Sequence, residues 1–171
     1  MIDRSLALDP FNPLFLVIGA LIYAWAGRYD EVHRLHKLGE DLNPGNPATA
    51  PVDAITKELE GRQDEAVADF AKLASQRAEL MGFYGSALAR AGRHDEARTC
   101  IDHLLALPLP APLDVARIHV GLRDADEALR WLGIAVAQRT VHLILMPADP
   151  RFDWLRADPR FAEVTRPMSL P

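Results

Sequence analysis

The chain has 171 residues, of which 49% are hydrophobic and 25% charged, and a net charge of -5. This is the composition of an ordinary soluble globular domain with enough chain to bury a core. The acidic balance and the lack of a basic stripe argue against phosphate-driven nucleic-acid binding. The single cysteine, Cys100, cannot form an internal disulfide, which fits a reducing compartment.

Residues 1–12 read as the tail of a second helix from a preceding half-repeat. Arg4, Ser5, Leu6, Ala7 and Leu8 are followed by the stop Asp9-Pro10, much as Leu42 and Asn43 are followed by Pro44. The chain therefore reads as opening in mid-repeat. Either it is a fragment or another molecule supplies the missing half. The apolar run Leu14 to Ala26 has no charged residue. A membrane-spanning helix takes about 20 residues, so this run is too short to cross a bilayer. Ala24-Trp25-Ala26 has the small-x-small form of a signal-peptide cleavage site. Against that, residues 1–13 are net acidic and carry Pro10 and Pro13, and Gly27 is in register with later turns. The run reads as a helix buried on most sides, in a cytoplasmic protein without membrane contact.

A five-residue phrase then recurs. Gly27-Arg28-Tyr29-Asp30-Glu31 is followed by Val32, Gly61-Arg62-Gln63-Asp64-Glu65 by Ala66, and Gly92-Arg93-His94-Asp95-Glu96 by Ala97. A looser copy runs from Asp124 to Ala128. The glutamates at 31, 65, 96 and 127 stand 34, 31 and 31 residues apart, a period that marks stacked helical hairpins. Each phrase predicts a turn. The glycine ends one helix at positive φ, the aspartate accepts backbone N–H bonds to start the next, and the small residue lets the two helices approach. Hairpins are expected at about 13–42, 47–77, 78–107 and 113–139, within a repeat domain of 13–141. Asn43-Pro44-Gly45-Asn46-Pro47 links the first two, and Leu107-Pro108-Leu109-Pro110-Ala111-Pro112 is a stiff connector before the last. Val67, Phe70, Ala71 and Ala74 share one helical face, as do Ala128, Leu129, Leu132, Ala135 and Val136. Residues 142–171 form a capping segment. In it Asp149-Pro150-Arg151-Phe152 returns as Asp158-Pro159-Arg160-Phe161, predicting two short helices that lay Phe152, Trp154, Leu155 and Phe161 over the apolar edge of the last hairpin.

With Tyr23 and Ala24 before Gly27, Gly85 and Ala87 before Gly92, Phe70 after Ala66, and Pro44 closing a unit, the chain resembles the tetratricopeptide repeat family over about 13–139. Asp53 and Lys57 depart from the pattern, standing where apolar or aromatic residues are usual. The stretch from Ala116 to Leu122 and onward through Asp149 to Arg156 resembles the closing part of repeat arrays on bacterial nucleotide cyclases, protein kinases and winged-helix regulators. The resemblance implies an all-α, right-handed superhelix (an α-solenoid) of antiparallel hairpins with a helical cap. It also implies a non-catalytic scaffold of a bacterial signalling or regulatory protein that binds a protein or peptide segment in a concave groove. Carried over by position, the groove would be lined by Leu14, Val17, Leu21 and Ala24, by Ala48, Pro51, Ile55 and Glu58, and by Glu79, Gly82, Ser86 and Arg90. The Lys, Asn and Arg set with which some members grip a C-terminal carboxylate is not present at these places.

The remaining candidates carry little chemistry. His33 and His36 could share a metal, but two ligands do not make a site, and packed or solvated histidines are the simpler reading. Cys100 and His103 read as a buried thiol and a surface imidazole. The repeated Asp-Glu pairs suit helix starts, which every repeat needs, rather than a catalytic pair, which is needed once. Arg28, Arg62 and Arg93 form an edge series, read as surface charge rather than as an anion ladder. No cofactor, metal or catalytic constellation is expected. Phe15, Ile18, Ile22 and Trp25 cannot all point into one hairpin. Self-association through them, as a homodimer, is the alternative function; a small-molecule or metal receptor is the third.

Overall fold

The computed structural model describes Arg4, Leu6, Leu8, Asp9 and residues 11–45 and 48–168. Ser5, Ala7 and Pro10 of the expected leading tail, Asn46 and Pro47 of the first linker, and the ends at 1–3 and 169–171 lie outside the described residues. Among the described residues all regular structure is helical and no strand occurs. Helices α1 (Pro13–Trp25), α2 (Tyr29–Leu42), α3 (Ala50–Leu59) and α4 (Gln63–Gln76) come first. A 3-10 turn, Ala78–Leu80, leads into α5 (Met81–Arg90), followed by α6 (His94–Leu105), α7 (Pro112–Gly121) and α8 (Ala125–Ala137). The closing segment is 3-10 over Val141–Ala148 and Pro150–Phe152, then α9 (Asp153–Arg156), α10 (Pro159–Thr165) and a last 3-10 turn, Arg166–Met168. The chain divides into two compact units, residues 1–69 and 70–171, with the division inside α4.

The turn phrase has one backbone solution, used repeatedly. Gly27, Gly61 and Gly92 sit at φ of 69°, 81° and 78°. In each turn two amides close back onto the ending helix. Gly27 N and Arg28 N donate to the carbonyls of Ala24 and Tyr23, and Gly61 N and Arg62 N to those of Glu58 and Lys57. Gly92 N and Arg93 N likewise donate to Ala89 and Leu88. This is the Schellman closure, which satisfies the orphan carbonyls of a helix end. The degenerate fourth turn keeps the geometry without glycine: Arg123 holds φ 61°, and Arg123 N and Asp124 N donate to Val120 and His119.

One part of the turn reading is corrected. The N-cap residues of α2 and α6 are Arg28 and Arg93, without a side-chain cap bond, and Asp30 and Asp95 lie one step inside the first turn. There they act through the helix dipole rather than as caps. Only in α8 does the aspartate take the cap position, Asp124 accepting from Glu127 N. The arginine of each phrase pairs with the glutamate three residues on: Arg28 with Glu31, Arg62 with Glu65, and Arg93 with Glu96.

The small position closes each helix pair. Val32, Ala66, Ala97 and Ala128 are fully buried. In the first unit α1, α2 and α3 pack mutually around Leu16, Ala20, Tyr23, Val32, Leu35 and Val52, with Leu6 against them. In the second, α5 packs on α6 and α7, and α7 on α8. Approach there is close: a Cβ on Gly85 would lie 2.5 Å from Ile118 Cδ1 and 3.0 Å from Cys100 Cβ, and one on Gly121 2.9 Å from the Ser86 carbonyl oxygen. The closing segment completes this core, where Phe152, Leu155 and Phe161 join Leu113, Leu129 and Leu132, with Trp154 packed partly buried against them. Both halves of its echo start alike, Asp149 accepting from Arg151 N and Asp158 from Arg160 N.

The space around the Gly92 Cβ direction is open, so a substitution there meets only the backbone cost of a left-handed residue. Gly92→Ala is expected to destabilise the second unit by about 1 kcal/mol in urea unfolding. Arg123→Gly is expected to act with the opposite sign, raising stability by up to about 1 kcal/mol. The gain is reduced by loss of the Arg123 guanidinium from its place 5.1 Å over the Trp154 ring.

Candidate functional site

The first unit exposes an apolar face. α1 turns Leu16, Gly19, Ala20, Tyr23 and Ala24 into the core, which is one side of a 3.6-residue period. The opposite side carries Leu14, Ile18 and Ile22 at 62%, 39% and 42% exposure, with Phe11 at 59% just before the N-cap Asn12. No charged residue interrupts this face. Of the self-association candidates, Ile18 and Ile22 are therefore outward. Phe15 instead packs partly buried against its own core. Trp25 is half-buried, and its Nε1 is enclosed without a hydrogen-bond partner among the described residues.

The groove candidates separate into two kinds. Leu14, Ala48 and Glu79 are exposed, and Val17 and Leu21 are half-buried against the α1 core. Ala24, Ile55, Glu58 and Ser86 are buried at 4% exposure or less and serve helix packing rather than surface. Pro51 is half-buried, and Gly82 is buried beneath Asp114. Arg90 donates to the Arg151 carbonyl at 3.1 Å, so the closing segment holds it. Sequence reasoning missed this because residue 151 lies 61 positions away.

A second feature went unread in the sequence. Asp53 and Lys57, the departures from the repeat pattern, form an alternating ion chain within the first unit. His33 Nδ1 lies 2.9 Å from Asp53 Oδ1, and His33 Nε2 lies 3.2 Å from Glu60 Oε1. Lys57 Nζ bridges Asp53 at 3.0 Å and Asp69 at 2.5 Å. His36 Nδ1 faces the buried Thr49 hydroxyl at 3.2 Å, and its Nε2 is 3.9 Å from Asp53. Both nitrogens of His33 thus meet carboxylates, which accept only, and this favours the doubly protonated ring. Burial opposes that charge, but the bonds to Asp53 and Glu60 outweigh it and raise the His33 pKa above 6.5. Burial likewise opposes ionisation of Asp53, and the bonds from Lys57 and His33 overcome it, so its carboxyl titrates below the usual range. Lys57 is raised against its own burial by Asp69 and Asp53. The histidines thus pair with a carboxylate that Lys57 already neutralises, and among the described residues no cluster of three or more His, Cys, Asp or Glu side chains could hold a metal ion.

The second unit buries its own charges. Arg151 and Asp149, both nearly inaccessible, pair at 2.6 Å. Arg117 pairs with Asp114 and lies 4.0 Å over the Phe83 ring, which stacks on Phe70 on the helix before it. Arg156 donates to the Asp149 carbonyl at 3.0 Å. The Arg151 guanidinium also lies 5.4 Å over the Phe83 ring, and with the bond from Arg90 to the Arg151 carbonyl this fastens the closing segment to α5. Cys100 is buried, and burial, with Glu96 nearby, pushes its thiol up, away from nucleophilic use. Among the described residues no helix is long and apolar enough to cross a membrane. Comparison with protein-family models, with curated proteins and with solved structures finds no match.

Two outcomes follow from the buried charges. The Asp53 contribution to stability is complete above its ordinary 3.8 and is lost as the pH falls through the lower folded value. The His33 contribution is complete below 6.5 and is lost as the pH rises through the raised folded value. Thermal stability of the first unit should therefore plateau between 3.8 and 6.5 and fall on both sides. His33→Gln should flatten the alkaline fall and weaken the acid one in part, because His33 and Lys57 together hold the Asp53 carboxyl low. Separately, Asp149→Ala leaves Arg151 charged and buried, at an expected cost of about 3–5 kcal/mol in urea unfolding. The double variant Asp149→Ala, Arg151→Met should recover most of that loss.

Proposed function

We propose that this chain is a non-catalytic protein-interaction module, a right-handed array of tetratricopeptide-like hairpins that serves as a scaffold in a bacterial signalling or regulatory protein. The observation that carries this reading is the apolar stripe of α1, where Leu14, Ile18 and Ile22 stand exposed on the side opposite the core. Contiguous exposed apolar surface marks a contact site. The repeated left-handed turns and fully buried small residues support the hairpin-array part of the reading. His33 ties α2 to Asp53 of α3, and Lys57 ties α3 to Asp69 of α4, which supports a structural use of these charges.

The contact surface in this reading is α1 rather than a groove running through the third hairpin. Ser86 is buried there and Arg90 is held by the closing segment. A partner segment would be an amphipathic helix laid along the stripe, read through anchors at helical spacing.

A displayed library of amphipathic helical peptides, panned against sparsely immobilised chain, tests this reading. Enriched peptides are expected to bind the wild type and to lose at least tenfold in affinity to Ile18→Asp and Ile22→Asp, with helicity by circular dichroism unchanged. Peptides that bind the Asp variants equally well, or no enrichment at all, would contradict it.

A further inference from the structure

We infer that the α1 stripe is the contact with a second copy of this chain, the two α1 helices running antiparallel about Ile18. This rests on the interaction reading above and names its partner. The argument is the spacing. Leu14 and Ile22 are exposed, and each stands four residues, about one helical turn, from Ile18. The stripe therefore reads the same from either end. A two-fold interface requires that property, because the same patch must match itself when turned around. In the antiparallel pairing Ile18 meets Ile18 of the second copy on the axis. Leu14 lies across from its Ile22. Large meets large from Leu14 to Ile22, a length of about 12 Å at 1.5 Å per residue.

Charge selects the same orientation. The stripe is uncharged, and the nearest exposed charges beyond it have opposite sign at opposite ends, Asp9 before α1 and Arg28 after it. Antiparallel pairing brings the Asp9 end of one copy to the Arg28 end of the other. Parallel pairing would set like charges side by side. Arg28 keeps 51% side-chain exposure while its Nη2 lies 3.4 Å from Glu31, so it can serve both partners. The helix dipoles of the two copies also oppose each other only in the antiparallel arrangement. The geometry is isologous and closes at two copies, so it predicts a dimer and no larger assembly.

The test is light scattering after size exclusion across a concentration series, combined with cysteine cross-linking by a short bis-maleimide. Wild type should pass from 18.9 kDa to twice that mass as concentration rises. Ile18→Asp should stay monomeric with unchanged helicity, and Ile22→Asn serves as a second, milder variant with the same expectation. Ile18→Cys should cross-link to itself, and a mixture of Leu14→Cys with Ile22→Cys should link more than either variant alone. Buried Cys100 in the wild type is the control and should give no product. A monomer at every concentration overturns the dimer while the peptide panning still reports on the interaction reading. A dimer in which Leu14→Cys and Ile22→Cys each link best to themselves overturns the antiparallel arrangement.

Discussion

Each hairpin depends on a single residue held at positive φ. Without it a helix end leaves carbonyls unpaired, and the chain cannot reverse within two residues. Gly27, Gly61 and Gly92 meet that demand at no steric cost, and Arg123 meets it by accepting strain. Once the turn is set, the residue five positions beyond it falls against the preceding helix. Val32, Ala66, Ala97 and Ala128 occupy that place, all fully buried. Turn and small residue together fix how near two helices come, and the rest of each unit fills in around that distance.

The same constraint explains why α1 is left with two apolar sides. Its inner side is committed by the turn at Gly27, which brings Val32 and Leu35 of α2 against Tyr23 and Ala20. A helix can offer only one face to that hairpin and α3. What remains, Leu14, Ile18 and Ile22, is directed away from the core. In the second unit the corresponding surplus is absorbed within the chain, because the closing segment supplies Phe152, Leu155 and Phe161 to cover α7 and α8. These helices thus handle their apolar surface differently in the two units, which supports the proposal of a contact site on α1.

Much of this is legible in the sequence alone. The turn phrases place the helices because glycine, acidic first turns and small contact residues are local requirements, met within a few positions. The echoed Asp-Pro starts at Asp149 and Asp158 are legible for the same reason. What was not legible depends on distant partners. Asp53 reads as a misplaced polar residue until His33, twenty positions earlier, and Lys57 close around it. Ser86 and Arg90 read as groove positions until Gly121 and Arg151 arrive against them. Phe15 and Ile18 are both large and apolar and lie three apart, so only packing decides that one turns inward and the other outward.

The central claim is that the outer side of α1 is kept apolar for contact with a second copy of this chain. Side-chain footprinting with a reactive carbene, read residue by residue at dilute and at concentrated protein, tests it most directly. The account predicts heavy labelling of Leu14, Ile18 and Ile22 in dilute solution and their selective protection as concentration rises, with exposed residues such as Leu109 unchanged. Equal labelling of the stripe at every concentration, or protection of it already at the greatest dilution, would contradict the account.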